Sequence, residues 1–557
     1  MKKLMFITLL LILTGAMVFA VGSRQQSGAS TGTPTLQIGI QAQPNVSDFV
    51  DNYLTHYLER LNNVKLDFLV LPSSNGDFRT RISLLATSND LPETIWTNGA
   101  LPTANILEYG SSGRFISLNR YFNDPSKTPY FNRIPAADKD SMLRLTRSGD
   151  GNNYAFPRFE PQIGNLSYYR RYINRDWLAK LGLQEPRTTE DLRNVLIAFR
   201  DRDPNGNGRR DEIGVFGFMG GWGTNVVTAL INAFVYYNGT FALDSTGNNI
   251  ITPITDPNFR KALQYINGLY RDGLFEASTF TVDETGYRAL INADPPIVGF
   301  TVSGWLGGHF TYGLTDPRHA IYYPMIAPLT GPDGVSYSPF DEYFPNSYNF
   351  ITNRARDVDL ALKVMDSFYS EDVSIITRYG EENVDWTRDP AITRIAPING
   401  YVSAAGLTSI AIVVSPDDVW GRATNKIWGN TTPRYADFVM ANATASMDFL
   451  TRPITAGTGY RDDVNEDIVL YYQLNYPRHP QYLLSGLSRG FTADDLDAIA
   501  EPASNVSSYL DRSIAQFITG ERDINSDTVW NAYLRELDNM GLQQYLRVAQ
   551  QAYNRIR

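Results

Sequence analysis

The apolar positions of this chain follow two rhythms that alternate from its first ordered stretch. Leu36, Ile38 and Ile40 recur with period two, as on a half-buried strand. Residues 46–61 then carry Phe49, Tyr53, Tyr57 and Leu61 on one stripe and read as a helix, and KLDFLVL at 65–71 is a strand again. This β-α-β start implies a parallel sheet with covering helices. A helix over 77–87 leads through Leu91-Pro92 to a strand, ETIWT. GDGNNYAFPR at 149–158 is a turn followed by a short strand. A helix over 176–181 stops at Gly182. Thr188, three residues before Asp191, opens a second helix as a capping box, with Leu192, Val195, Leu196 and Phe199 on one face. Further on come a helix over 257–272, a strand within IVGFTVSGWLGG at 297–308, a crossover at 321–328, a strand at 349–352 and a helix over 358–369. From Asp463 the pattern is mostly helical. Thr492 and Asp495 form another capping box, and Trp530, Tyr533, Leu534 and Leu537 form a stripe that reads as core. There is no tandem repeat of 20–50 residues.

Composition narrows the class. The 557 residues suffice for two to four domains, and 43% hydrophobic with 19% charged residues is the make-up of a globular protein. Net charge is −10, without basic blocks, which argues against nucleic acid or an anionic membrane surface as partner. Lys2 and Lys3, an apolar run over 4–18 and a small-x-small site at Val18-Phe19-Ala20 read as a signal peptide over 1–20. Residues 21–34, rich in Ser, Gly and Gln, read as a flexible tether. Cysteine is absent, so neither disulfides nor a lipid-modified cysteine is available. The expectation is a monomer exported in soluble form to the periplasm, with no lipobox.

One loop carries a metal signature. Calcium takes six to eight oxygen ligands, so a short segment must turn carboxylates and amides inward, with glycine where the bend is sharpest. DRDPNGNGRRDE, 201–212, does this in two registers. From Asp201 it matches D-x-[DN]-x-[DN]-G-x5-E through Asp203, Asn205, Gly206 and Glu212. From Asp203 the ligands are Asp203, Asn205, Asn207, the Arg209 carbonyl, Asp211 and Glu212, a set that uses every acid and amide from 203 onward. The bland alternative is a polar Asn-Gly turn before a strand.

The run INRDWLAKLGLQEPRTTEDLRNVLIAFRDRDPNGNGRRDEIG at 173–214 resembles the large-type extracellular solute-binding proteins, family 1, of bacterial ABC carbohydrate importers. The resemblance is to their LipO-like and alginate-oligosaccharide-binding group. SNDLPETIWTNG at 88–99, YGEENVDW at 379–386 and FITGERDINSDTVWNAYLRELDNMGLQQYL at 517–546 match the same family. The resemblance implies an α/β bilobal periplasmic-binding-protein fold of type 2, two discontinuous lobes with a hinge and an interlobe cleft. Its lobes are expected at 35–160 with 320–375, and at 161–319 with 376–557. It also implies that the 203–212 loop is a structural calcium site remote from the ligand, and that permease subunits in the membrane are the partners.

For the cleft, the strand end and turn at Trp96 to Gly99 are expected to face the ligand, in keeping with ligands at the carboxyl ends of parallel strands. Arg158 and the Tyr168-Tyr169 pair are expected to border it. Trp222 in GFMGGWGTN and Trp305 in SGWLGG sit among glycines that let backbone approach a ligand. Trp420 and Trp428 lie in a Gly/Asn/Asp-rich stretch, with Asp418 and Arg422 close by. Trp96, Trp222, Trp305, Trp420 and Trp428 are the expected stacking platforms; Arg158, Asp418 and Arg422 are the expected polar partners.

Catalytic patterns fail on context. Gly486-Leu-Ser488-Arg-Gly490 matches a nucleophile elbow, but the last histidine, His479, precedes the serine. No H-E-x-x-H and no phosphate loop occur. Glu381-Glu382 and Asp417-Asp418 read as solvated charge, although sequence alone leaves a two-carboxylate hydrolase open. The expected function is a transport receptor, not an enzyme, for an oligosaccharide. The alternatives are a binder of another solute, such as a peptide, and less favoured a carbohydrate hydrolase.

Overall fold

The computed structural model describes residues 32–159, 167–304, 309–310, 321–322, 325–340, 346–387, 401–402, 408–409, 412–413, 423–435, 474, 477–484 and 486–557. The expected signal peptide and residues 21–31 of the tether fall outside these. The strands that build the two main sheets are β1 (Thr35–Gln41), β2 (Lys65–Leu71), β3 (Thr94–Trp96), β4 (Ala155–Phe159), β5 (Arg170–Ile173), β6 (Ile213–Val215), β7 (Val298–Ser303), β8 (Asn346–Ile351) and β9 (Arg434–Tyr435). Helices used below are α1 (Tyr53–Asn62), α2 (Asn75–Thr87), α3 (Arg175–Leu181), α4 (Thr189–Asp201), α5 (Pro257–Arg271), α6 (Val358–Ser367), α7 (Glu371–Tyr379), α8 (Ala493–Thr519), α9 (Asp527–Asn539) and α10 (Leu542–Ile556).

The first sheet has six strands in the order β9-β4-β8-β3-β1-β2. β1 pairs in parallel with both β2 and β3, while β8 runs antiparallel to β3 and β4, and β9 is parallel to β4. β8 is therefore the only reversed strand of this sheet, and the carboxyl ends of the other five share one edge. Leu36, Ile38 and Ile40 are buried, as their alternation demands. The core beneath takes Trp96, Phe156 and Ile351 from the sheet, Leu362, Met365, Val373 and Ile376 from α6 and α7, and Trp386, Trp428 and Tyr435 from later chain.

α1 begins at Tyr53, seven residues later than the period of 46–61 implies. Asn52 is extended and its side chain accepts the Leu54 N–H, which starts the helix there. The preceding segment is held as loop, with Ser47 N–H donating to Thr424 O at 2.8 Å and Asp48 capping Val50 N–H at 2.7 Å. Leu61 is accordingly exposed. α3 and α4 form as read. Gly182 closes α3 in the left-handed region, and Thr188 and Asp191 make the capping box reciprocally.

The second sheet is β5-β7-β6, with β5 antiparallel and β6 parallel to β7. Its core joins Leu192, Leu196 and Phe199 of α4, Phe259 and Leu263 of α5 and Phe300 of β7 to the carboxyl-terminal helices, through Leu510, Ile514, Phe517, Trp530, Tyr533 and Leu537. The aromatic stripe of α9 is thus core. The two cores divide the chain differently from the expected lobe limits. Ile326 and Leu329, expected with the first lobe, pack in the second core, whereas Ile376, Trp386, Trp428 and Tyr435, expected with the second, lie in the first. Edge pairing decides this. Ile326 N–H bonds to Arg171 O on β5 at 2.8 Å, and β9 adds to the free side of β4.

Candidate functional site

Two of the expected stacking tryptophans are corrected. Trp96 and Trp428 are both 0% exposed. Their rings meet edge to face at 5.4 Å, with Phe368 5.1 Å from Trp96. Each indole N–H is satisfied internally, Trp96 to Thr94 Oγ1 at 2.9 Å and Trp428 to Thr55 Oγ1 at 2.8 Å. Strand alternation turns Trp96 into the core face, so the ring is packing and offers no surface to a ligand. Trp305, Asp418, Trp420 and Arg422 lie outside the described residues.

What stands at the carboxyl edge of the first sheet is polar. Gln41, 2% exposed, ends β1 and anchors two turns. Its Oε1 accepts Thr97 Oγ1–H and Asn98 N–H, both at 2.9 Å, while its Nε2 donates to Ser73 O at 2.8 Å and Asn75 Oδ1 at 2.9 Å. Gly99, at φ +70°, completes the turn after Asn98. Near the end of β4, half-buried Arg158 donates from Nη1 to Asn430 Oδ1 at 2.9 Å. Asn430 N–H points at Gln43 Oε1, 3.4 Å away, and Asn45 Nδ2 is buried without an acceptor.

The second sheet contributes rings. Tyr168 stacks on Tyr169 at 5.1 Å and on Trp222 at 5.7 Å, both at 26°. Trp222 remains 44% exposed, among the most exposed large hydrophobic side chains. Glycine makes the ladder possible. A Cβ on Gly304 would sit 2.1 Å from the Trp222 ring, and Gly304 N–H donates to Trp222 O at 2.9 Å. Gly223, at φ +68°, passes so close to Tyr168 O that a Cβ would lie 2.2 Å from it. Buried Arg171 fixes the base of the ladder, donating to Tyr169 O at 3.0 Å and Tyr337 O at 3.3 Å. Tyr236 and Tyr337 meet edge to face beside it, 5.7 Å apart. Reading the sequence expected Arg158, Tyr168, Tyr169, Trp222 and the turn from Trp96 to Gly99, which includes Asn98, at the ligand, and missed Gln43.

The oxygen-rich loop is tightly wound, with Asp203, Gly206 and Gly208 all at positive φ. Asp203 accepts Asn207 N–H at 3.2 Å and Gly208 N–H at 2.9 Å. Asp211 accepts Asn205 Nδ2 at 2.9 Å and Asn207 Nδ2 at 2.9 Å. These contacts hold the Asp211 carboxyl below its usual range. Glu212 is the opposite case. Both its carboxylate oxygens are buried without a hydrogen-bond partner, and burial, then the charges of Asp203 and Asp211, push its pKa up. Asp201 is turned to Arg200, 2.8 Å away, outside this ring of contacts. No cluster of three or more His, Asp or Glu side chains converges among the described residues. The set here is mixed, of carboxylates, amides and carbonyls, and Glu212 is the unsatisfied member that a cation fits. One further buried pair, Ser303 Oγ and His309 Nδ1 at 2.7 Å, is closed to substrate, with Ser303 fully buried.

No family model matches the chain. A fructooligosaccharide ABC transporter substrate-binding protein of Streptococcus pneumoniae, FusA, is 26% identical over 517 residues, covering 89% of this chain and 86% of FusA. The polygalacturonan/rhamnogalacturonan-binding protein YtcQ of Bacillus subtilis is 24% identical over 220 residues, 38% of this chain and 40% of YtcQ. Among solved structures, FusA of S. pneumoniae in complex with kestose superposes with a TM-score of 0.74 at 23% identity, over 94% of this chain and 99% of that one. The fold is that of the bilobal solute-binding proteins. The alginate-binding protein AlgQ2 without calcium ion shares it, with a TM-score of 0.68 at 19% identity over 94% of this chain and 99% of that one. No helix among the described residues is long and apolar enough to cross a membrane.

Proposed function

We propose that this chain is the substrate-binding component of an ABC importer, which captures an oligosaccharide between its lobes and presents it to a membrane permease. The observation that carries this reading is the exposed end of the Tyr169–Tyr168–Trp222 ladder on the second sheet. Sugars present apolar C–H faces and a rim of hydroxyls; rings take the faces and directed hydrogen bonds take the rim. The relationship to FusA over most of both chains supports the same ligand class. Ligand contacts made to both lobes at once would favour a closed arrangement, which the permease would read. Export to the periplasm, from the signal-like residues 1–20, completes the proposal, with the chain acting as a monomer.

Trp222→Ala is expected to weaken saccharide binding by roughly 1–3 kcal/mol, on the scale of base stacking on aromatic side chains, with the melting temperature little changed. Calorimetric titration against mono- and oligosaccharides measures it. Unaltered affinity would remove Trp222 from the site. Cleavage of the saccharide would point to the hydrolase alternative, and binding of peptides alone to the other.

Calcium belongs to the same proposal as a structural ion. Asp203, Asn205, Asn207, the Arg209 carbonyl, Asp211 and Glu212 would hold it, and it would neutralise three carboxylates gathered in one loop. The unpartnered Glu212 oxygens support this, as does the existence of an EF-hand mutant of FusA that was solved with fructo-nystose.

A further inference from the structure

We infer that His309 is a positioning residue for the ligand platform: through Ser303 it clasps the end of β7 and so sets where Trp222 presents its ring. This rests on the proposed transport function and deepens it by naming a residue that holds the site without touching the ligand.

The seat of Trp222 is the end of β7. Its ring lies against Gly304, where a Cβ would come within 2.1 Å of it, and its carbonyl accepts Gly304 N–H at 2.9 Å. Gly223 closes from the other side, since a Cβ there would lie 2.5 Å from Gly304 N. With backbone packed this closely, Gly304 and the ring move together. On the neighbouring strand, Arg170 pairs with Ser303, and Arg170 N–H donates to Tyr168 O at 3.1 Å. The Tyr169–Tyr168–Trp222 ladder thus stands on the corner that Ser303 begins.

That corner is tied to the lobe by a row of buried polar contacts from the helix Glu284–Ile291. Tyr287, fully buried, donates its hydroxyl to Val302 O at 3.0 Å and lies 3.1 Å from Thr301 Oγ1. The next residue of the strand, Ser303, meets His309 Nδ1 at 2.7 Å. His309 is itself anchored. Its carbonyl accepts Arg288 Nη1 at 3.3 Å and Asn292 Nδ2 at 3.1 Å, and its ring stands edge-on to Tyr287 at 5.6 Å. Arg288 is held in turn by Glu284 at 2.7 Å. The three residues before Gly304 are therefore gripped from one side. Burial, then the charge of Arg288, push the His309 pKa down to about 4, so the ring is neutral at physiological pH and can share one hydrogen bond with a hydroxyl. His309 and Ser303 are both buried, closed to a ligand. A directed bond between them fixes the strand end more narrowly than apolar contact of the same size, which is how a supporting residue sharpens a site.

The test labels the purified full chain with fluorotryptophan and reads it by fluorine NMR, the Trp222 signal among the 8 tryptophans being the one lost in Trp222→Phe. The same proteins are titrated with kestose, nystose and trigalacturonate. Ser303→Ala, which deletes one buried hydroxyl, and His309→Leu should each shift the Trp222 signal and weaken the tightest of these saccharides about fivefold or more, the effect of losing one hydrogen bond. His309→Asn, whose side-chain oxygen can stand in for Nδ1, should restore both. A Trp222 signal left in place, with affinity within about twofold of wild type, overturns the inference even where the melting temperature falls. So does a His309→Asn variant that behaves as His309→Leu does. If Trp222→Ala binds as tightly as wild type while Ser303→Ala moves the signal, the clasp stands and the platform falls. If no saccharide in a wider panel binds the wild type, the transport reading falls, and the signal alone decides the clasp.

Discussion

Trp96→Ala should lower the stability of this protein by about 3–5 kcal/mol, the usual range for removing a buried tryptophan, while leaving the ligand surface largely in place. Trp96 touches no solvent and sits between Phe368 and Trp428 at 5.1 and 5.4 Å. Truncation empties a space bounded by β3, α6 and the 427–435 segment, which cannot collapse without moving the central strands. It also removes the indole N–H that Thr94 Oγ1 accepts, leaving that hydroxyl its bond to Gln37 O. Because Trp428 forms the other wall, the double variant Trp96→Ala/Trp428→Ala is expected to cost less than the sum of the two single changes. Urea melts read at several temperatures give the loss, and titration with saccharide gives the affinity of the fraction that remains folded. Asn98, two residues on, keeps its backbone anchor through Gln41 and not through Trp96. A large affinity loss at unchanged stability would contradict the core assignment and return Trp96 to the cleft.

Removing calcium should be the second large effect. An ion that binds the folded state alone, at 100 times its dissociation constant, stabilises by ~2.7 kcal/mol, visible as a drop of a few degrees in melting temperature when a chelator is added. The pH dependence has a definite sign. The Glu212 pKa is raised in the folded, metal-free protein. A carboxyl raised on folding adds stability that is present below its unfolded value and lost as pH rises through the folded one. Ionising the unpartnered Glu212 as pH rises therefore costs the metal-free protein stability, and a bound calcium ion would relieve that cost. The gap between calcium-loaded and chelated melting temperatures should widen from pH 5 to pH 7. Glu212→Gln should shrink that gap while leaving the metal-free protein no less stable at neutral pH. A chelated protein that melts with the calcium-supplemented one at both pH values would exclude the ion.

Much of this architecture is written in local pattern. The β-α-β start, the capping boxes at Thr188 and Thr492, the Gly182 stop and the α9 stripe depend on residues within one or two turns of each other, and they form where the pattern puts them. The loop at 203–212 is legible for the same reason, since the carboxylate and amide contacts that wind it fall within ten residues. Trp222 was reachable through its glycines. Its partner Tyr168 was placed at the same border by family resemblance, although the stacking of one on the other was not.

Where pattern failed, the deciding partner was distant in sequence. The 46–52 segment has helical spacing, yet Thr424 holds it as loop. Trp96 and Trp428 are 332 positions apart and bury each other, so neither is available to a sugar. Segments 325–329 and 427–435 joined cores opposite to those expected, because the sheet edges that bind them are made by β5 and β4. Sequence by itself determined most of the elements and the cation-ready loop, products of short-range chemistry, and its family resemblance implied the bilobal fold class. Only the tertiary structure decided which of the described tryptophans are packing, that Trp222 among them is left open, and that an amide edge stands where an aromatic one was expected. Those outcomes depend on which face of a strand meets which neighbour, a relation that no local spacing encodes.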